Sequence, residues 1–115
     1  MSRTLHVRGS ISTQAKSSPV EITLVQAGTP DIVVVEPDSI VTVENVYMAC
    51  SSGNARVYAS VDGTELPNNQ LAEVWNKNGT LIPLDWLCQP GQKLWLRTSS
   101  NRKTTVVLKA TIYQP

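Results

Sequence analysis

The side chains able to do acid–base or nucleophilic chemistry are few in this chain of 115 residues. His6 is the single histidine, so any Ser-His-Asp or Cys-His arrangement has to be built on it. Acid–base catalysis needs a tunable proton carrier held in a cleft, usually a histidine or paired carboxylates. His6 lies in a polar N-terminal stretch, and we interpret it as an exposed histidine. The sequence therefore predicts no catalytic histidine.

Paired carboxylates do not supply the missing chemistry either. A glycosidase needs two carboxylates facing each other across a groove. Glu65 with Glu73, or Asp62 with Asp85, are the pairs that can be nominated, but nothing in their spacing selects them. We predict no catalytic residues, and we expect that the protein is not an enzyme.

The sequence contains none of the usual motifs of metal or cofactor sites. Cys50 and Cys88 are far apart and match no metal or redox spacing, and one histidine adds too little for a tetrahedral site. The acidic residues are dispersed, and the turn glycines stand singly rather than in a phosphate-binding loop. We predict no metal and no cofactor. A disulfide between the cysteines stays open, but two buried free thiols acting as small hydrophobic groups are favoured.

The charge balance excludes several classes of partner. Charged residues make up 17% of the chain and the formal net charge is +1, so no basic surface for nucleic acid is expected. The sequence contains no run of about 18 apolar residues, so no membrane-spanning helix is predicted. The first eight residues contain no apolar segment typical of a secretion signal, which indicates synthesis in a cytoplasm.

The elements that position these residues read as β-strands separated by turns. Residues 1–19 are rich in Ser and Thr and are interpreted as a polar N-terminal arm, in which residues 5–8 alternate like an edge strand. A β-domain is predicted over residues 20–115, where Val20, Ile22 and Leu24 begin an alternating pattern. Turn chemistry at residues 51–54 and at residues 76–79 is expected to separate strands.

One predicted strand, residues 40–48, changes its apolar face along its length. Val41 and Val43 occupy odd positions, whereas Val46 and Met48 occupy even ones. Successive side chains of a strand point to opposite faces, so these four cannot all face one core in a regular strand. A β-bulge or a change of sheet near Glu44 and Asn45 resolves the conflict.

The pattern predicts seven or eight strands and no stretch of ten residues with a helical apolar period. Alternating strand–helix units are absent, so a parallel sheet is not expected. The predicted fold is all-β, an antiparallel two-sheet sandwich that is jelly-roll-like with about eight strands.

The aromatic residues support two interpretations. Phe is absent, while Trp75, Trp86 and Trp95 lie within 21 positions of one another. All three tryptophans fill the core in the favoured interpretation; in the other, exposed rings anchor a protein interface or stack on sugars. Trp95 shares a strand face with Lys93 and Arg97, a face that looks solvent-directed. The candidate interface residues are Leu5, Val7, Tyr58, Trp95 and Arg97.

Residues 39–114 carry a resemblance to a known class of protein. The features in order are the loop at residues 61–64, the segments at residues 69–73 and 79–84, and a Pro90-Gly91-x-x-Leu94-Trp95 core before a closing β-branched strand. In this order they resemble the small β-sandwich virion proteins of tailed bacteriophages. The resemblance covers about two-thirds of the chain.

The resemblance implies a structural protein without an active site, present in many copies on a capsid or tail. Within the class, head decoration or cement proteins commonly form homotrimers, and an arm such as residues 1–19 reaches a neighbouring subunit. The implied partner is the major capsid protein or another virion protein, and the implied location is the virion. The alternative function is a carbohydrate- or receptor-binding module of a tail or fibre, with Trp75, Trp86 or Trp95 as a stacking platform.

Overall fold

The structure, a computed structural model, describes residues 1–115 and consists of strands and loops only. With 63% of residues in strands and no helix, it confirms the predicted all-β antiparallel class. No helix that is long and apolar enough to cross a membrane is present. The strands are β1 (Arg3–Thr13), β2 (Val20–Glu21), β3 (Leu24–Gln26), β4 (Ile40–Ser60), β5 (Gln70–Leu87), β6 (Lys93–Thr98) and β7 (Thr104–Gln114).

Strand β4, with 21 residues, organises the sheet. Strand β5 runs antiparallel along one side of it, from the pair Thr42–Leu87 to the pair Tyr58–Gln70. On the other side β7 pairs with the first half of β4 and β6 with the second half. Strand β1 then adds to β7, β3 to β1, and β2 to β6. The result is a single hydrogen-bonded sheet of seven strands.

The connection between β5 and β6 shows that this sheet is curled. Leu87 pairs with Thr42 at one end of β4, while Lys93 pairs with Ser60 at the other end. The six residues from Leu87 to Lys93 span at most about 22 Å. An extended strand from Thr42 to Ser60 would be about 60 Å long. Strand β4 therefore folds back on itself, and the sheet curls into a half-barrel around its core.

Two segments predicted to be turns are bends within continuous strands. Residues 51–54 stay in β4 and residues 76–79 stay in β5. They lie across from each other, because Cys50 pairs with Lys77 and Asn54 with Trp75, with register shifts between these pairs. Gly53 and Asn76 adopt positive φ angles of 70° and 46° there. The left-handed backbone that these residues accept bends both strands together instead of reversing the chain.

The predicted change of face in β4 is confirmed. The register of β4 shifts between Val43 and Asn45 against both β5 and β7. All four apolar side chains around the shift are inaccessible to solvent, and they belong to one cluster of 23 buried hydrophobic residues. The closing strand β7 contributes every second residue to the same cluster: Val106, Leu108, Ala110 and Ile112.

Residues 3–13, predicted as part of a polar arm, form a strand inside the sheet. Strand β1 pairs with β7 over its whole length and with β3 on its other side. Its odd positions face the core, where Val7 is 2% exposed and Gly9 is buried against Ile22. Residues 5–8 showed this alternation in the sequence, but the glycine at the inward position 9 interrupted the apolar series, so the strand was not predicted beyond residue 8.

Both cysteines are buried free thiols, as the sequence favoured. The Cys50 thiol donates to the Ser52 carbonyl oxygen at 3.2 Å. Burial raises the pKa of the Cys88 thiol to about 12. Since the thiolate is the nucleophilic form, Cys88 is inert at neutral pH and acts as a packing residue.

Candidate interaction surfaces

Three of the predicted interface residues meet on the convex side of the sheet. The register of β4 and β6 places Arg56 beside Arg97 and Tyr58 beside Trp95. These four residues, which we call the Tyr58 face, point away from the core that Val57 and its inward neighbours enter. The structure therefore brings Tyr58, Trp95 and Arg97 together.

The loop of residues 61–66 covers part of the Tyr58 face. Tyr58 is fully buried, and its hydroxyl donates to the Gly63 carbonyl oxygen at 2.5 Å. The Trp95 indole N–H donates to the Ser60 carbonyl oxygen at 2.9 Å, and its ring lies against Gly63. The expectation that Tyr58 is an interface residue is therefore wrong for the folded chain, because its own loop takes the place of a partner.

A charged network holds this loop on the sheet. The Arg56 guanidinium donates to both carboxylate oxygens of Glu65, at 2.7 Å and 3.0 Å, and to the Asn54 side-chain oxygen at 2.8 Å. Gln70 donates to Glu65 as well, at 3.1 Å. The hydrogen bond from Arg56, supported by its charge, lowers the pKa of Glu65, and the same bond raises the pKa of Arg56. This bidentate pair is a structural clamp.

We expect replacement of Glu65 by Gln to lower the free energy of unfolding at neutral pH by about 1–2 kcal/mol, the range for a charge-assisted hydrogen bond at a partly exposed site. A lowered carboxyl pKa stabilises the fold above the ordinary pKa of 4.5, and this contribution is lost as pH falls through the lowered value. Urea unfolding at about pH 7 and pH 3 should show the difference between wild type and variant shrinking in acid.

The matched control is Glu36→Gln, because Glu36 is exposed and makes no side-chain hydrogen bond. It should leave stability unchanged at both pH values. An equal loss for the Glu65 variant at both pH values would contradict the clamp.

Strand β5 presents the longest open edge of the sheet. It pairs with β4 alone over its 18 residues, so its other side has no strand partner. Its side chains include three large exposed apolar groups, Trp75 at 59%, Leu81 at 61% and Leu87 at 68%. An unpaired edge of this length is a template for pairing with another chain.

The opposite edge of the sheet is also apolar. Residues 32 and 33 lie along the free edge of β3. Ile32 forms an isolated bridge to Val25, and the Val33 N–H donates to the Leu24 carbonyl oxygen at 2.9 Å. Ile32 and Val34 are 65% and 58% exposed. The β5 edge and the edge beside β3 thus both carry exposed aliphatic side chains.

The three tryptophans occupy three different environments. Trp86 packs partly against the core, Trp95 lies on the Tyr58 face, and Trp75 is exposed. The prediction that all three fill the core is therefore wrong for Trp75. Its neighbour Val74 faces the core, and strict alternation from Val74 was the signal that places Trp75 outside.

Leu5 and Val7 do not join the Tyr58 face. Both lie on β1, on its core-facing side, where Leu5 is half-buried and Val7 is buried. Val7 is therefore a core residue, and its prediction as an interface residue is wrong for the folded chain. Sequence reading missed the exposed apolar side chains of Leu81 and Leu87 on the β5 edge and of Ile32 and Val34 beside β3.

The single histidine, His6, lines an open surface cavity together with Arg8, Glu44 and Lys109. No cluster of three or more His, Cys, Asp or Glu side chains is placed to hold a metal ion. Of the nominated carboxylates, Glu65 is clamped by Arg56, and Glu73 accepts a hydrogen bond from Asn54 at 2.7 Å. The sequence matches no known protein-family model and no curated protein.

Proposed function

We propose that this chain is a structural protein of a tailed-bacteriophage virion, a decoration or cement protein that stabilises the head by surface contact rather than by catalysis. The observation that carries the proposal is the exposure of large apolar side chains along the β5 edge and beside β3, above all Trp75, Leu81 and Leu87 on β5. Proteins that work alone usually blunt or cover such edges, whereas assembly buries them.

The resemblance of residues 39–114 to small virion β-sandwiches supplies the class of assembly. The proposed partner is the major capsid protein or another virion protein, with the chain itself as a homo-oligomer, a trimer by that resemblance. Symmetric assembly, alone or on a capsid lattice, places many identical edges against complementary surfaces.

The proposal also includes a two-layer, jelly-roll-like arrangement of the strands. The halves of β4 on either side of the bend at residues 51–54 carry two groups of strands, β7 with β1 and β3, and β6 with β2. We interpret the two groups as the layers of a jelly-roll-like sandwich that share one core. A rigid body of this kind suits a protein that acts by contact.

The proposal predicts that the chain is found in purified virions of the phage that encodes it. Head shells of that phage lacking the protein should bind it on addition, and binding should raise the temperature at which the shells break. Co-sedimentation and a thermal release assay of packaged DNA measure both effects. Recovery of the chain only from the supernatant of sedimented head shells would contradict the proposal.

The exposed indole of Trp75 favours the second candidate function, a carbohydrate- or receptor-binding module. An exposed ring offers a flat apolar face on which a sugar stacks. Titrating tryptophan fluorescence against a glycan panel separates the two functions. A saturable response that Trp75→Ala abolishes would favour the binding module, whereas no response favours the structural role.

A further inference from the structure

A cavity opens on the outward face of the sheet, where β4, β7 and β1 lie side by side. Its volume is about 330 Å³, and its titratable lining residues are His6, Arg8, Glu44 and Lys109. Ala27, in the turn after β3, also lines it and donates its N–H to the His6 carbonyl oxygen at 2.8 Å. Paired strands and a turn that is hydrogen-bonded to β1 therefore frame the cavity.

The strand register sets two permanent cations directly opposite each other in this cavity. Arg8 of β1 pairs with Lys109 of β7, and both side chains are exposed while their neighbours along each strand are buried. Side chains in such a pair start roughly 5 Å apart at their Cβ atoms, and like charges placed there are destabilising. The one ion pair within the chain joins Arg56 and Glu65, so neither cation is neutralised by a carboxylate of the chain.

The bulge in β4 brings a single acidic side chain to the same place. Glu44 lies at the register shift between Val43 and Asn45, and Asn45 is the residue that pairs with Lys109. Because Val43 is buried and the shift lets Val46 face the core as well, Glu44 is left outside, exposed beside the cavity. One carboxylate against two permanent cations leaves the cavity with an excess of positive charge.

We propose that this cavity binds a small tetrahedral oxyanion, such as inorganic phosphate, between Arg8 and Lys109. The guanidinium of Arg8 presents a planar fork that suits two oxygens of one anion, and the ammonium of Lys109 adds a second charge from the facing strand. An anion between them replaces one repulsion by two attractions. His6, two residues from Arg8 on the same face and about 7 Å along the strand, offers a ring N–H at the rim.

The lining favours a free anion over other ligands. The two cations repel a metal ion, and the apolar part of the lining is limited to Val7, Ala27 and Ala110, too little for a hydrophobic ligand. One pair of cations is also far from the extended basic surface that nucleic acid needs. Glu44 repels the anion in part, so the affinity is modest. The inference does not depend on the proposed assembly role, because the cavity lies away from the β5 edge.

The single histidine is a built-in reporter of this cavity. Its imidazole gives one set of carbon-bound proton signals in the NMR spectrum of the untagged chain, so no assignment is needed. Titration with sodium phosphate, at fixed neutral pH and at an ionic strength held constant with sodium chloride, should shift these signals in a saturable way with a millimolar dissociation constant. Acetate, with one charge and two oxygens, should bind at least about threefold more weakly.

Charge variants test which residues hold the anion. Arg8→Thr and Lys109→Thr should each raise the phosphate dissociation constant at least about fivefold, whereas Glu44→Gln should lower it about twofold because it removes a repulsion. Lys103→Thr loses the same charge from an exposed position in the loop before β7 and should leave the constant unchanged. If circular dichroism shows that a Thr variant is unfolded, Arg8→Gln or Lys109→Gln takes its place.

Three results would each overturn the inference: a shift of the His6 signals that does not saturate, the same shift when chloride replaces phosphate at equal ionic strength, or an unchanged constant in the Arg8 and Lys109 variants. Screening by salt alone would produce the second result. Head-shell binding is measured in phosphate-free buffer, so failure of the shells to bind the chain refutes the proposed function and leaves the oxyanion site standing.

Discussion

Replacing Val46 by Asp is expected to abolish stable folding, with a loss of more than about 4 kcal/mol. Val46 is inaccessible to solvent and pairs with Leu108 on one side and Ile82 on the other. A carboxylate there has no charged partner, and domains of this size have only about 5–15 kcal/mol of stability to lose. Circular dichroism and urea unfolding of the purified variant measure the effect.

The neighbouring position is the control that makes this result informative. Tyr47 points outward and is 38% exposed, with its ring packed over Gly79, so Tyr47→Asp should cost about 2 kcal/mol and leave a folded chain. If Asp at Val46 prevents purification, Val46→Thr keeps the shape and should still cost about 1–3 kcal/mol. If β4 had no bulge, its odd-numbered residues would continue to face the core, as Val41 and Val43 do. Asp at position 47 would then unfold the chain, and Asp at position 46 would cost little.

Replacing Tyr58 by Ala is expected to cost about 3–5 kcal/mol of unfolding free energy, the range for removing a large buried aromatic side chain. Tyr58 is fully buried on the convex side of the sheet, and it lies outside the main hydrophobic cluster. Its removal leaves a cavity beneath the loop of residues 61–66 and frees the Gly63 carbonyl oxygen. Thermal and urea unfolding give the magnitude.

Tyr58→Phe separates packing from hydrogen bonding. It keeps the ring and removes the hydroxyl, so it should cost about 1–2 kcal/mol, the effect of one lost bond and one unpaired carbonyl. If Tyr58 were instead a surface residue awaiting a partner, the Ala variant would keep wild-type stability and lose only assembly. That outcome would contradict the covering of the Tyr58 face by its own loop.

The sequence predicted best where neighbouring residues alone decide the geometry. The uninterrupted alternation from Val106 to Ile112 placed β7 correctly, since residues two apart share a face whatever surrounds them. The opposite parity of Val43 and Val46 likewise required an irregularity between them, and the register shifts there. Burial of the two free cysteines also followed from their spacing and character.

Prediction from sequence was poorer wherever the surroundings of a residue are set by another segment of the chain. Tyr58 alternates with buried residues and therefore reads as solvent-facing, but the loop at residues 61–66 folds over it. Turn chemistry at residues 51–54 and 76–79 reads as chain reversal, yet pairing between the two segments turns it into a common bend. Periodicity reports which face a side chain occupies, not what covers that face.

By itself, then, the sequence determined the all-β class, the inward faces of the first part of β4 and of β7, and the change of face near Glu44. Only the tertiary structure decided that β1 is a member of the sheet, that β4 folds back, and that β5 is left as an open edge. The reason is physical: side-chain alternation is fixed by the local backbone, whereas the partners of a strand depend on hydrogen bonds between residues far apart in the chain.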